Sequence, residues 1–404
     1  MKILVTGAKG FVGSNFVAEL NNIKEGKDKT FTLDSNLEIF SYDIDTDPAL
    51  LDDYCKQADF VFNLAGVNRP KNQEDFMKGN FGFATTLLDT LKKYKNNCPV
   101  MISSSIQAAL DNPYGKSKKA GEDLMLEYSK ETGAKVLIYR FPNIFGKWCR
   151  PNYNSVIATF CNNIARGLSV QVNDRKRPMT LVYIDDVVTE LINGAEGHEN
   201  KTGDYCKVPV EHHTTLGEIA DLLYSFKESR ESLYVPDMYD AFSKKLYSTY
   251  MSYLPLDKFS YPLISHTGLK GSFTEFLKSK GRGQVSINVS RPNMIKGEHW
   301  HNTKNEKFLV VSGNGVIRFR PANENAMISI PDTLPSNVKI TGNITEYYVS
   351  GDKLEVIDIP TGYIHNIENL GNMDMVTVMW SNECFNPEKP DTFSEPVKNK
   401  LIYL

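Results

Sequence analysis

The chain opens with MKILVTGAKGFVG, Met1 to Gly13, and the reading of this stretch decides the fold of its first half. Ile3, Leu4 and Val5 form a short apolar run that ends at Thr6, and glycines follow at Gly7, Gly10 and Gly13. This is the strand, turn and helix start of a dinucleotide-binding βαβ unit. Gly7 permits the tight turn, Gly10 lets a pyrophosphate approach the backbone, and Gly13 lets the helix pack close to the strand. The phosphates then meet the positive end of that helix. A purely structural glycine turn is the competing reading; the place directly after a strand-like run favours the nucleotide.

Outward from this stretch, short apolar runs alternate with helical stretches up to about residue 210. Strands are expected at Ile3–Thr6, Glu38–Tyr42, Phe60–Leu64, Pro99–Ser103 and Val136–Phe141. Helices are expected over Val12–Leu20, Phe83–Tyr94 and Tyr114–Glu131, with Ile219–Ser225 continuing a further one. The alternation calls for an α/β Rossmann fold, a doubly wound parallel sheet covered on both faces. Asn21–Asn36 reads as a polar surface excursion, and Asp237–Pro262, rich in Tyr, Ser and Pro, as a crossover into something different. After about Lys270 the texture becomes short period-two runs between glycine turns, among them QVSINVS, EKFLVVSGNGVIRFR, KLEVIDIP and MVTVMW. That is an all-β barrel or sandwich, with Asn323–Thr345 as a polar, hairpin-like insertion. Two domains result, 1–255 and 256–404.

Composition narrows the class. At 404 residues, 41% hydrophobic and 24% charged, the chain has the make-up of a soluble globular protein long enough for two cores. A net charge of −3 gives no field that would gather nucleic acid or an anionic membrane. The six cysteines are scattered without a CxxC pair, so reduced thiols and a cytoplasmic setting are expected. Neither a signal peptide nor a bilayer-spanning run is legible.

Tyr114-Gly115-Lys116-Ser117-Lys118 opens a helix beyond the turn Asp111-Asn112-Pro113. Tyr114 and Lys118 are four apart and share a helical face. Lowering a tyrosine pKa by ~2–3 units requires ~3–4 kcal/mol. A lysine about 4 Å away supplies roughly that at an effective dielectric of about 20. Ser103-Ser104-Ser105 follow the fourth strand at its carboxyl end, where open α/β sheets place ligands. A serine hydroxyl there can hydrogen-bond a carbonyl while Tyr114 gives it a proton.

TGAKGFVG, Asn63-Leu64-Ala65-Gly66, the serine run, YGKSK and RFPNIFG (Arg140–Gly146) together resemble the extended short-chain dehydrogenase/reductases, which act on nucleotide-activated sugars. The resemblance implies Tyr114 as proton donor, Lys118 on the nicotinamide ribose, and Ser105 polarising the substrate carbonyl. It implies a cofactor cradle of Gly7, Lys9, Gly10, Phe11, Val12 and Gly13, then Asp43, Leu64, Ala65, Gly66, Asn80 and Phe141, besides Tyr114 and Lys118. Dehydratases of that family carry an acidic pair just after the serine, where Ile106, Gln107 and Ala108 stand here, so plain hydride transfer is expected. Asn143, Lys147, Arg150 and Asn154 are candidates for the uridine diphosphate; an ordinary basic surface loop is the alternative.

A second constellation lies in the β-rich part. Gly297-Glu298-His299-Trp300-His301 is followed by Glu306 and Gly313, and later by Pro360-Thr361-Gly362-Tyr363-Ile364-His365 with Asn369 beyond. Residues two apart on a strand share a face, so His299 and His301 can hold one ion, with Glu306 and His365 completing the set. Three imidazoles and a carboxylate suit Zn, Mn, Fe or Ni. The spacing resembles both cupin motifs, which implies a jelly-roll barrel with one divalent ion, Zn first; a cupin that has lost its ion is the alternative.

The two halves together, with the runs FGKWCRPNYNSVIATF and HWHNTKNEKFLVVSGNGVIRFR, resemble a family of bifunctional capsular polysaccharide enzymes. That resemblance implies a UDP-4-keto-6-deoxy-N-acetylhexosamine substrate, epimerised at C3 in the cupin half and reduced at C4 with NADPH in the other. The product is then a UDP-N-acetyl-6-deoxy-L-talosamine type sugar on the route to N-acetyl-L-fucosamine. Glu275, Lys296 and Tyr363 are open choices for the C3 base. Asp43 ends the second strand and normally favours a free ribose 2′-OH, so NADH stays open; Lys9 or Arg69 would meet the 2′-phosphate of NADPH. A homodimer through the cupin half is implied by resemblance. Two other readings stay open: a reductase whose cupin only dimerises, and a sugar-nucleotide sensor without turnover.

Overall fold

A computed structural model describes residues 1–33, 35–323 and 331–398. These residues form two compact units. The first comprises Met1–Lys227 and Asp237–Leu256; the second comprises the described residues of Glu228–Pro236 and Asp257–Leu404.

The first unit carries a seven-stranded sheet. Its five leading strands are β1 (Lys2–Thr6), β2 (Glu38–Tyr42), β3 (Phe60–Asn63), β4 (Val100–Ser105) and β5 (Val136–Phe141). They lie in the order β2-β1-β3-β4-β5, all parallel. The short strands Tyr205–Cys206 and Lys201–Thr202 extend the far edge. Alternate residues of each strand enter different cores, as a sheet covered on both faces requires. Ile3 and Val5 pack with Phe16, Phe62 and Leu191 on one face; Leu4, Val61 and Ile138 pack with Leu87, Leu91 and Met125 on the other. The chain winds from β1 to β2 on one side and to β3 on the other, so the carboxyl end of β1 borders the point where winding reverses. Ligands of doubly wound sheets bind there.

The expected α/β fold and its five strands are present, and some boundaries move. The first helix runs Phe11–Lys24, so the polar segment after Leu20 begins as helix. Asp237–Pro262 is more than a crossover, since it contains the helix Ala241–Ser252. The Asp240 side chain caps that helix by accepting the Ser243 N–H at 2.7 Å. The helix buries Phe242, Leu246 and Tyr250 against Phe145, Ile219 and Phe226. Helices Ala49–Gln57, Val156–Ala165 and Ile184–Ala195 had no counterpart in the sequence reading.

The second unit holds two six-stranded antiparallel sheets. One contains Gly271–Ser279, Gly283–Ser290, Glu306–Ser312 and Met375–Ser381; the other contains Ile295–Trp300, Asn314–Pro321, Ile344–Ser350 and Tyr363–Asn369. Phe308, Val310 and Met375 from the first pack with Ile317, Phe319 and Ile367 from the second in one core. This is the expected cupin-like all-β domain. Within the polar insertion, Val338–Thr341 pairs with Ile344–Ser350 as a hairpin, while residues 324–330 lie outside the described part. All six cysteines are free thiols. Among the described residues no helix is long and apolar enough to cross a membrane.

Candidate functional site

The glycine turn does what its spacing requires. Gly7 has φ +67°, and a Cβ there would lie 2.6 Å from the Ala65 nitrogen. A Cβ on Gly13 would lie 2.0 Å from the Gly7 carbonyl oxygen, so helix and turn are in backbone contact. The helix begins at Phe11 with no side chain capping it, which leaves its first N–H groups free for an anion. The Thr6 hydroxyl donates to Asn63 Oδ1 at 2.7 Å and ties the ends of β1 and β3 together.

A cavity of about 620 Å³ opens at these strand ends. Gly7, Lys9, Gly10, Phe11, Val12 and Gly13 line it, with Leu64, Gly66 and Phe141. Ser105, Tyr114 and Lys118 line the same cavity, as do Asn143, Arg150 and Asn154. Asp43, Ala65, Asn80 and Lys147 are not among its walls. Asp43 is spent on the backbone, accepting the N–H groups of Lys9 at 2.7 Å and Ile44 at 2.8 Å. The Lys9 ammonium pairs with Asp45 at 2.5 Å, both side chains being largely exposed. Asn80 is a buried clamp: Oδ1 accepts the Val67 N–H at 2.8 Å, and Nδ2 donates to the Val67 carbonyl and the Ser117 hydroxyl. Lys147 pairs with Asp185.

The three serines have separate tasks. The Ser103 carbonyl accepts from Lys118 Nζ at 2.9 Å. The Ser104 hydroxyl donates at 2.6 Å to Glu122, which is wholly buried and ion-paired with Arg140. The Ser105 hydroxyl accepts the Gln107 N–H at 3.2 Å and reaches the Tyr114 hydroxyl. Tyr114 and Lys118 stand on the helix Pro113–Thr132, which has proline in its first turn and is capped by Asn112 Oδ1 accepting the Gly115 N–H at 2.8 Å.

One electrostatic expectation is corrected. Burial raises the Tyr114 pKa above its ordinary value, although the Ser105 hydrogen bond opposes this. The Lys118 ammonium lies 5.8 Å from the Tyr114 ring centre and is engaged with the Ser103 carbonyl, so it does not lower Tyr114. Burial pushes Lys118 itself down to about 8, against the pull of Glu122. The tyrosine therefore keeps its proton at neutral pH.

Further wall residues escaped the sequence reading. Asn68, Gln107, Trp148 and Tyr153 line the cavity. Trp148 is 59% exposed and adopts φ +67°, and the Arg150 guanidinium sits 5.4 Å from the Tyr153 ring centre. Aromatic and basic residues interleaved in WCRPNY are the signal that could have marked a surface for stacking a base.

In the β domain, His299, His301, Glu306 and His365 each offer a ligand atom, all within 4.8 Å of one another. His299 pairs with His365 across the ladder, after a bulge at Gly297 and Glu298 that both adopt positive φ. His301 stands just past that strand. Nε2 of His301 and of His365 lie 3.6 Å and 3.5 Å from Glu306 Oε2. Both nitrogens are buried without a hydrogen-bond partner, an arrangement that suits a cation held between them and the carboxylate. Burial, helped by His365 and His301, pushes His299 down to about 4, keeping a neutral imidazole ready to ligate. Burial works against ionising Glu306, yet the neighbouring imidazoles of His301 and His365 and the Lys304 ammonium hold it well below the usual carboxylate range.

A cavity of about 540 Å³ adjoins this set, lined by His299, Glu306, His365, His266, Lys270, Lys296 and Lys304 among others. Of the three base candidates only Lys296 lines it. Its Nζ donates to Ser272 O, Asn288 Oδ1 and Val289 O at 3.0, 2.7 and 2.7 Å. Three acceptors use all three hydrogens of an ammonium, which gives the group no lone pair to accept a proton. Glu275 pairs with Lys278 at 3.0 Å, and Tyr363 is partly buried and packs against the hydrophobic core.

Known proteins match both halves. The NAD dependent epimerase/dehydratase family matches residues 3–203, and the Polysaccharide biosynthesis C-terminal domain matches 266–393. Capsular polysaccharide assembling protein CapF from Staphylococcus aureus superposes with a TM-score of 0.85 at 49% identity, over 98% of this chain and 100% of that one. A UDP-2-acetamido-2,6-beta-L-arabino-hexul-4-ose reductase from Pseudomonas aeruginosa is 38% identical over 394 residues, 98% of each chain. The chain belongs to the CapF family. A CapF structure carrying the inhibitor 3-isopropenyl-tropolone superposes with a TM-score of 0.82 at 47% identity, covering 98% of this chain and all of that one. The family pairs a nicotinamide-dependent oxidoreductase domain with a C-terminal polysaccharide-synthesis domain, in the order seen here.

Proposed function

We propose that the chain is a bifunctional UDP-sugar enzyme, epimerising a UDP-2-acetamido-2,6-dideoxy-hexos-4-ulose at C3 and then reducing its C4 ketone to a UDP-N-acetyl-6-deoxy-L-talosamine. The observation that carries this reading is the meeting of Ser105, Tyr114 and Lys118 with the glycine turn in one cavity. The Pseudomonas reductase supports the 4-keto substrate, and the capsular relatives support a place in surface polysaccharide assembly; the route proposed is that to N-acetyl-L-fucosamine.

At the reductase site NADPH supplies the hydride. Ser105 hydrogen-bonds the ketone oxygen, Tyr114 gives it a proton, and Lys118 places a positive charge beside the cofactor ribose. Arg150, Asn143 and Asn154 face the nucleotide part of the substrate. Lys9 takes the 2′-phosphate; its pair with Asp45 is exposed and costs little to open. A tenfold preference for NADH in kcat/KM overturns this cofactor assignment.

In the β domain, His299, His301, Glu306 and His365 hold one divalent ion, Zn first, whose contribution is Lewis acidity at the ketone oxygen. A tropolone has two adjacent oxygens suited to chelation, so its occurrence as a CapF inhibitor supports a metal there. The six free thiols support a cytoplasmic setting, and a homodimer through the β domain belongs to the same proposal. The deciding experiment is NMR of a UDP-4-keto sugar in deuterated buffer with protein but without cofactor. Exchange of the C3 proton is expected. No exchange reduces the β domain to a docking module, the second reading that its relatives leave room for.

A further inference from the structure

His301 sits where no strand ladder holds it, and what meets it comes from far along the chain. The Asp391 carbonyl, 90 residues away, accepts from His301 Nδ1. A carbonyl can only accept, so this contact keeps the proton on Nδ1 and leaves the Nε2 lone pair toward Glu306. The Asp391 carboxylate is itself held by the loop that follows His301. It accepts the N–H groups of Asn302, Thr303 and Lys304 at 2.9, 2.7 and 2.9 Å, and the Thr303 hydroxyl at 3.1 Å. The segment then clamps the neighbouring ligands. Phe393–Ser394 pairs with His299–Trp300, and the Phe393 ring lies 4.8 Å from that of Trp300. The Val397 N–H donates at 2.6 Å to Glu298, whose positive φ makes the bulge before His299. The same carboxylate accepts from Asn366 at 2.6 Å, the residue after His365.

We propose that Asp391–Val397 is a built part of the metal centre, and that Asp391 is the positioning residue fixing the tautomer and direction of His301. This rests on the reading that the four-residue cluster binds a divalent ion. Side chains that orient a ligating histidine are typically worth about 10–100-fold in metal affinity.

The test uses the full-length protein and the metal alone. Zn²⁺ affinity is measured by competition with a chromophoric chelator, and the geometry of the site by the visible absorption of the Co²⁺-loaded protein. Asp391→Ala is expected to weaken Zn²⁺ about 10–100-fold and to alter the Co²⁺ spectrum, with NADPH affinity unchanged. Asp391→Asn can still direct its oxygen at the Thr303 and Lys304 donors and sacrifices only the bond to Asn302, so it is expected to recover most of the affinity. Wild-type affinity and spectrum in Asp391→Ala overturn the proposal and leave the segment a brace. Should the alanine variant fail to fold, Asp391→Ser, which also lacks both carboxylate oxygens, decides: an altered Co²⁺ spectrum with weakened binding supports the role, and unchanged values overturn it. A wild-type protein that binds no ion overturns the metal reading, and the inference with it.

Discussion

Tyr114→Phe isolates one proton. The hydroxyl lies above its ordinary pKa near 10, so at pH 7 fewer than about one molecule in a thousand is ionised and the group is almost entirely an acid. The substitution removes that acid and one hydrogen bond to Ser105, worth about 1 kcal/mol to the fold. The ring keeps its place against Phe76, 5.6 Å between centres, so the cavity wall survives. A positioned general acid contributes typically 10²–10⁴ in rate, which at ~1.4 kcal/mol per decade is roughly 3–5 kcal/mol of transition-state stabilisation. The assay is single-turnover NADPH oxidation with a UDP-4-keto sugar, beside cofactor affinity by fluorescence and C3 exchange by NMR. Reduction should fall 10²–10⁴-fold while cofactor affinity stays within about twofold, because Lys118 and the glycine turn are untouched. C3 exchange should persist, because the two cavities share no wall residue. A fall of less than tenfold would refute Tyr114 as the donor, and loss of exchange would place both reactions in the reductase cavity.

Other outcomes follow from the same geometry. Lys118, pushed down to about 8, is charged below that pH and neutral above it, so kcat/KM for reduction should decline as pH rises through about 8; a limb near 10 instead would mean that Lys118 is not the group sensed. Gly13→Ala places a methyl carbon 2.0 Å from the Gly7 carbonyl oxygen, and overpacking of this kind costs typically 1–3 kcal/mol. Its thermal midpoint should drop and its NADPH affinity collapse, while Zn²⁺ binding remains; wild-type cofactor affinity would show that the turn is not the cradle. His301→Ala removes one of the four proposed ligands, so protein purified without added metal should carry less than about a tenth of an equivalent and lose C3 exchange, with NADPH binding intact. Exchange retained in that folded, metal-free variant would make the ion structural.

What could be read from the sequence was what sequence spacing carries. The turn around Gly7 and Gly13, the helix bearing Tyr114 and Lys118, and the set His299, His301, Glu306 and His365 rest on short-range periodicity or on a recurrent spacing. What depended on distant packing was hidden. Burial decides that Tyr114 is raised and not lowered, and burial is a property of the assembled sheet. Lys147 reads as a phosphate ligand until Asp185, 38 residues on, claims it. Lys296 reads as a base until three acceptors from other strands take its hydrogens. Asp391 gives no local sign of its work, since its partners lie nearly ninety residues earlier. The helix Ala241–Ser252 was masked by tyrosines and serines of weak helical preference, and only its packing on Phe145 and Phe226 makes it secure.

The serine run at the end of β4 has a consequence for how this strand can change. Val100 and Ile102 point with Ser104 toward the helix Pro113–Thr132, while Met101 points the other way. Parity along the strand therefore distributes the three identical residues: an even place, Ser104, serves the Glu122–Arg140 pair, and an odd one, Ser105, reaches the Tyr114 hydroxyl. Three serines in a row look like redundancy, yet they form a phase-locked frame. Losing one residue upstream within β4 would slide the run by one place: the positions of Ser103 and Ser104 would still carry a serine, each drawn from its neighbour, while that of Ser105 would receive Ile106. The hydroxyl beside Glu122 would survive the slip and the one beside Tyr114 would not. Apolar residues between the deletion and the run would change faces as well, so the core and the cavity both hold this strand in frame.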